Sequence, residues 1–372
     1  MFDFVVIGAG IAGASVADAL APTASVALLE AEQQPGYHST GRSAALFAPN
    51  YGSSMFRALA RASAGFLRSP PPSFTTQELL RARGALHIGR PDQREHLARV
   101  AGELEASGTR IEVLSIEAAC ALVPLLRRAY LGAAAFEPDV QDIDVDTLFR
   151  GFLNRGRRNG VRLLTGARIE APQWRQNAWH FLVNDEAICG RVLINAAGAW
   201  ADVVGVACGA RAIGLQALRR SVALIDPPAG VSVRAWPAVF DVDEQFYLKP
   251  DTDRLLVSPA DEEPVQPCDA YAEDLAIAIA VDRMQSALDI EVARVARNWA
   301  GLRTFAPDRD PVIGFDPEVR NLFWCAGQGG YGIQTAFAFS CLAAALAREE
   351  SVPTAIAEQG LTVSSVSPAR FS

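Results

Sequence analysis

The residues best suited to chemistry in this 372-residue chain lie near its two ends. Gly8-Ala9-Gly10-Ile11-Ala12-Gly13 is a G-x-G-x-x-G run, followed further on by the acid Glu30. Each glycine has its own physical role. Gly8 makes a tight turn, Gly10 lets a pyrophosphate approach the backbone, and Gly13 lets a helix pack closely on a strand. A helix that begins here presents free N–H groups and its positive dipole end to phosphate. Glu30 can accept both hydroxyls of an adenosine ribose, so the chemistry indicated is dinucleotide binding. A second glycine-rich turn, Gly327-Gln328-Gly329-Gly330-Tyr331-Gly332, leads into the apolar stretch Ile333 to Ala347. Donors at such a helix start favour negative charge on a bound group. Reduced flavin is anionic around N1 and the C2 carbonyl, so this turn suits a two-electron-reduced cofactor. A plain packing turn in a sheet is the competing reading.

Positioning these turns requires particular elements. Phe2 to Ile7 is a β-branched and aromatic run that reads as a buried parallel strand, Ala14 to Leu20 has helical spacing, and Ser25 to Leu29 is a second strand. Together they form a βαβ unit with the first glycine turn at its first corner. Residues 33–45 then run through His38-Ser39-Thr40-Gly41-Arg42-Ser43-Ala44-Ala45 with little helix or strand pattern. Two readings stay open for that segment: a surface loop, or an extended wrap around a cofactor longer than NAD, such as FAD. Val192 to Asn195 and Asn321 to Ala326 read as further strands of the same sheet, the former running into Ala197-Gly198-Ala199-Trp200. The middle of the chain differs. Ala85 to Gly89, Ser221 to Ile225, Gln245 to Lys249 and Arg254 to Ser258 are short strand candidates, the last two joined as a hairpin by Pro250-Asp251-Thr252-Asp253. Helical stretches at 93–106 and 272–285 are interleaved with them. The fold class expected is α/β, a Rossmann-like FAD-binding domain with an inserted α+β substrate domain containing an antiparallel sheet.

Composition removes several function classes. The net charge is −8, from 34 basic and 42 acidic residues, without the basic patch that a nucleic-acid binder shows. Lys249 is the sole lysine, so an arginine carries little information merely by being arginine. The six cysteines are isolated, which fits reduced thiols in a cytoplasmic protein and gives no metal site. Met1-Phe2-Asp3 enters a strand without a basic leader, and the longest apolar run, Thr335 to Ala347, is far short of the roughly 20 residues of a membrane span. No transmembrane segment is expected.

The ordered set Gly8 to Gly13 with Glu30, His38 to Ser43, Asn195 to Asp202, Phe246-Tyr247-Leu248-Lys249-Pro250, Trp299-Ala300-Gly301-Leu302-Arg303 and Gly327 to Gln334 resembles the FAD-dependent D-amino-acid oxidase and dehydrogenase family. The resemblance runs over essentially the whole chain, and its pattern is nearest to bacterial D-arginine dehydrogenase. It implies a discontinuous FAD-binding domain at 1–49, 139–213 and 304–372, and a substrate domain at 50–138 and 214–303. It also implies that Arg220 and Arg303 hold the amino-acid carboxylate, that Tyr51 and Tyr247 add hydroxyl contacts, and that the Gly330 carbonyl takes the amino group. Arg219, beside Arg220, reads as the surface member of that pair. Cofactor contacts are implied for Gly8, Gly10, Ile11, Ala12, Gly13, Glu30, residues 38–45, Ala197, Gly198, Trp200, Gly329, Gly330, Tyr331, Gly332, Ile333 and Gln334. FAD is expected to be non-covalent despite His38, which in some relatives is joined to the flavin. The implied reaction is oxidative deamination of a D-amino acid by hydride transfer from Cα to flavin N5, with dioxygen or a quinone-type acceptor taking the electrons.

The chain departs from the D-arginine enzyme at two positions: Ala85 stands where that enzyme has a glutamate for the guanidinium, and Leu46 where it has a histidine. His87 cannot supply the missing carboxylate. These departures give the expectation of a side-chain pocket without an anion at this place, unless an acid from Asp241-Val242-Asp243-Glu244 reaches it, and hence of a preference for apolar or modestly polar side chains. Competing readings are a sarcosine- or glycine-type secondary amine oxidase, an NAD-dependent dehydrogenase, and a flavin-binding subunit without activity of its own.

Overall fold

A computed structural model describes every residue except Asp185. Its first sheet has a parallel centre in which Phe2–Ile7 lies between Val26–Leu29 and Glu186–Asn195, and Glu186–Asn195 is flanked in turn by Leu322–Ala326. Strand residues point alternately to opposite faces. Phe4 and Val6 therefore enter a core shared with the helices Ile11–Leu20 and Gly332–Ala347, while Val5 and Ile7 join a second core with Trp179, Leu193 and Trp324. Coverage of both faces explains why these strands read as continuous apolar runs. An antiparallel meander, Glu170–Arg175 and Ala178–Val183, extends the sheet on one side.

The second sheet is nine-stranded and mostly antiparallel. Its longest pairing joins Gln216–Ile225 to Val295–Phe305, and the hairpin Tyr247–Asp251 with Arg254–Ser258 lies beside it. One pair is parallel: Ala85–Gly89 beside Ala238–Asp241, two strands far apart in the chain that meet only in the folded sheet. Leu86, Ile88, Val239, Leu248 and Val257 bury one face of the sheet in a core with Met284 from the helix Asp274–Ala287. The opposite face carries the alternate residues, among them His87, Tyr247, Arg220 and Arg303. A small sheet of Leu46–Phe47, Gln141–Ile143 and Leu80–Ala82 stands at the junction.

The helix Ser54–Arg68 opens the segment assigned from the sequence to the substrate side, yet it packs against Gly332–Ala347, and its Ala58 and Leu59 belong to the first sheet's core. Its amphipathic spacing demands an apolar partner, and the partner that folding supplies lies on the nucleotide side.

Candidate active site

At the first turn Gly8 has φ +95°, and a Cβ on Gly13 would lie 1.8 Å from the Gly8 carbonyl oxygen, so neither position admits a side chain without displacement. Three groups tie the turn down. The Gly8 N–H donates to the Leu29 carbonyl at 2.7 Å, the Ala9 N–H to Glu30 at 2.8 Å, and the Ile11 N–H to the Thr40 hydroxyl at 2.9 Å. Glu30 also accepts from the Glu32 N–H at 3.0 Å, so it shapes the turn as well as presenting a carboxylate. Among the described residues the N–H groups of Gly10 and Ala12 find no acceptor, at a helix start where the dipole is positive. Unmatched donors beside a glycine-lined cradle fit a pyrophosphate.

The segment that could have been a surface loop is pinned along its length. The His38 ring lies 3.1 Å from Glu32 and tilts on Trp200, with ring centres 4.7 Å apart. Ser39 donates to the Leu302 carbonyl at 2.6 Å, Arg42 donates to the Ala270 and Ala300 carbonyls and pairs with Asp269, and the Trp299 indole donates to the Arg42 carbonyl at 3.1 Å. It crosses from the first sheet onto the second, along the path an extended cofactor needs. At the far turn, Gly329 donates to the Thr304 carbonyl at 2.8 Å, and the Gln334 side chain accepts from the Ala48 N–H at 3.0 Å. This turn is therefore fastened both to the clamp strand and to the segment that follows residue 45.

Strand register assembles the substrate side. Arg220 is opposite Gly301 and Arg303 opposite Leu218, which sets the two guanidinium groups diagonally on one face of the sheet. Arg220 is only 9% exposed; it donates to Glu262 at 3.2 Å, while its Nε has no hydrogen-bond partner. Burial, with the nearby Arg303 charge, holds Arg220 below the ordinary arginine range. Two cations crowded together, one of them incompletely satisfied, fit an anionic ligand. A Cβ on Gly330 would sit 3.1 Å from the Arg303 guanidinium, so the second glycine turn lies directly against this clamp. Gln328, in the same turn, keeps a buried side-chain nitrogen without a partner. Tyr51 leans over the site from the other side: its ring tilts on Tyr331 with centres 5.6 Å apart, and its hydroxyl donates to Glu244 at 3.2 Å. Tyr51 is half exposed, and protein crowding around its phenol, then the Glu244 carboxylate, raises it above its usual range, so it stays protonated and a donor.

Two expectations change here. Arg219, read from the sequence as the surface member of its pair, is buried on the opposite face and held by Glu263 and Glu273. The pocket without an anion also gives way. Glu137 pairs directly across the strand from Ala85, is 7% exposed, and lies 3.5 Å from His87. Glu244 does come forward from the 241–244 loop, to Tyr51. Tyr247, Phe240 and His87 form an aromatic row between clamp and acid, with ring centres 5.8 and 5.7 Å apart. Glu137 and Gln328 carry no chemical signal of their own in the sequence; only register and contacts bring them to the site. Lys249 is buried and spoken for, its ammonium 2.7 Å from Asp142, which Arg83 also contacts.

A nucleotide turn, a pinned cofactor segment and a buried cationic clamp on a facing sheet define an FAD-dependent oxidoreductase. The chain belongs to the family described as "FAD dependent oxidoreductase", whose pattern matches residues 3–346. It is 24% identical over 268 residues to the hydrogen cyanide synthase subunit HcnC of Pseudomonas aeruginosa, a match covering 72% of this chain and 63% of that protein. The chain thus matches less than two thirds of that relative's length. Among solved structures it is similar to glycine oxidase from Geobacillus kaustophilus (TM-score 0.85, 20% identity, 99% of this chain and 98% of that one). It is also similar to L-proline dehydrogenase from P. horikoshii (TM-score 0.82, 20% identity, 99% and 97%). These likenesses carry the fold. No helix among the described residues is long and apolar enough to cross a membrane.

Proposed function

We propose that the protein oxidises D-amino acids to imino acids, which hydrolyse to keto acid and ammonia. The observation that carries the amino-acid part of this reading is the clamp, Arg220 and Arg303 on one sheet face, with Arg220 buried and its Nε unmatched, while the D configuration is taken from the family resemblance. A carboxylate is the anion that planar guanidinium groups grip with paired donors, each charge-assisted bond contributing about 1.5–3 kcal/mol. In this reading Tyr51 and Tyr247 donate to the carboxylate, and the Gly330 carbonyl accepts from the amino group. Together they fix the Cα–H direction, which contributes through orientation rather than through a dedicated base. Bound FAD supplies the hydride acceptor at N5. Gly8, residues 10–13, Glu30, 38–45, Ala197, Gly198, Trp200 and 329–334 would hold it, within segments 1–49, 139–213 and 304–372. His38 already has Glu32 and Trp200 as neighbours, in keeping with a non-covalent cofactor.

The aromatic row and the Glu137–His87 pair continue the same sheet face beyond the clamp, where a substrate side chain would lie, which favours a substrate with a side chain over glycine or sarcosine. Because His87 already faces Glu137, a cationic side chain gains less there than it would from a lone carboxylate, and apolar or modestly polar side chains fit better. The test is anaerobic bleaching of the flavin by D-leucine, D-phenylalanine, D-arginine, the L-isomers, glycine and sarcosine. Fastest bleaching by an apolar D-isomer supports the reading. Fastest bleaching by sarcosine or glycine would transfer the protein to the secondary-amine class, and no bleaching at all would leave a flavin-binding subunit.

A further inference from the structure

We propose that a second cleft, on the side of the cofactor segment away from the clamp, is the port for an uncharged quinone-type electron acceptor. The proposal rests on the flavin-oxidoreductase reading and extends it to the oxidising substrate. The cleft has a volume of about 590 Å³, inside the range of pockets that take small organic ligands. One wall is the cofactor segment itself, Gly41 to Ala44, and the facing wall is Arg297, Asn298 and Trp299.

Its position separates it from the amino-acid site. Arg303 and Arg297 lie on the same strand, six residues and so about 20 Å apart along it. Between them the cofactor segment crosses the strand, through Ser39 on the Leu302 carbonyl, Arg42 on the Ala300 carbonyl and the Trp299 indole on the Arg42 carbonyl. The Arg303 end of the clamp lies on one side of this crossing and the cleft on the other, with Tyr247 packed in one cluster with the cleft's Leu256, Ala44 and Trp299, so both would abut the cofactor.

The lining selects the ligand. Flat surfaces come from Trp299, Tyr37 and Tyr271, the last two 46% and 71% exposed and so unusually open for tyrosines. Paired carbonyl-directed donors come from the Arg297 guanidinium, which has no carboxylate partner among the described residues and stands over Trp299 at 5.5 Å. The remaining charges cancel: Arg42 is matched by Asp269, Lys249 by Asp142, and unpaired Arg297 is offset by unpaired Asp251. A planar, neutral molecule with two carbonyl acceptors meets these terms, whereas dioxygen has no use for stacking planes or paired donors. The redox balance closes simply. Each amino acid leaves two electrons on the cofactor, and the quinone takes two electrons and two protons to become a hydroquinone, the protons coming from the reduced cofactor and from water.

The test uses holoenzyme whose flavin is reduced photochemically without oxygen and mixed with menadione in a stopped-flow instrument. Arg297→Ala combined with Tyr271→Ala should slow reoxidation by menadione about tenfold and leave reoxidation by dioxygen within about twofold. Menadione titrated into oxidised wild type should quench tryptophan fluorescence, with a Kd about tenfold weaker in the double variant. Unchanged menadione kinetics in that variant, or an equal slowing with dioxygen, would overturn the proposal. Photochemical reduction bypasses the amino acid, so a failure of the D-amino-acid reading leaves this result interpretable.

Discussion

The nucleotide turn and the arginine clamp, in the function proposed here, both face the problem of holding an anion, and they approach it from opposite directions. At the turn the cationic character is partial and comes from backbone N–H groups at a helix start, with a protein acceptor for Gly8, Ala9 and Ile11 and none for Gly10 or Ala12. At the clamp the charge is whole and doubled, on Arg220 and Arg303, with Arg220 nearly buried and incompletely bonded. The first arrangement is stable when empty, because its waiting donors are dipoles rather than whole charges. The second carries like-charge repulsion that an incoming carboxylate relieves. Stability and binding are therefore coupled at one place and separate at the other. Damage to the turn should unfold and empty the site together, while damage to the clamp should abolish binding and spare the fold.

Disrupting the turn should give the largest effect. Gly13→Val places side-chain atoms where only 1.8 Å separates a Cβ from the Gly8 carbonyl oxygen, so helix and strand must part. A loss of about 3 kcal/mol or more and mostly flavin-free protein are expected, read from the melting temperature and the flavin-to-protein absorbance ratio. A yellow, equally stable variant would refute the close-approach account.

Dismantling the clamp should leave the fold intact. Arg303→Ala should lower kcat/KM for the amino acid about 10²–10³-fold, chiefly through KM, with flavin content unchanged. Arg220→Met separates the two behaviours further: substrate binding should fall comparably while the melting temperature holds or rises, since the buried member of two crowded charges is gone. A clear drop in melting temperature for Arg220→Met would mean that the pair stabilises the empty protein.

Glu30→Ala lies on the border between them. Its carboxylate accepts the Ala9 and Glu32 N–H groups and, in the function proposed here, would also meet the ribose. We expect about a tenfold loss in FAD affinity together with about 1 kcal/mol of stability. Weaker FAD binding at unchanged stability would make it solely a ligand contact.

The smallest effect belongs to the far end of the pocket. Glu137→Gln should lower activity with D-arginine relative to D-leucine by a few-fold, and Ala85→Glu should raise it, as measured by kcat/KM across a panel of D-amino acids. Equal ratios in all three proteins would remove the 85–137 pair from substrate choice.

What can be read without coordinates divides along the same line as the physics. The βαβ unit, its glycine turn and the second turn at Gly327 are legible because each is contiguous: strand, corner and helix start follow one another, and what each glycine does arises from its chain neighbours or the strand beside it. The hairpin at 247–258 is legible for the same reason. Arg303 comes into view only through a resemblance, and Arg219 is misread, because two adjacent arginines on a strand differ only in which face is buried.

The βαβ unit and its glycine turn follow from the amino-acid order, since hydrophobic periodicity and glycine placement act over a few residues. What stands opposite Ala85, which helix Ser54–Arg68 packs against, and the opening of a second cleft beyond the cofactor segment come from the folded chain alone. Those facts depend on the register between strands far apart in the chain. A shift by one residue would turn Glu137 and Arg220 to the other face with no change in composition or local pattern.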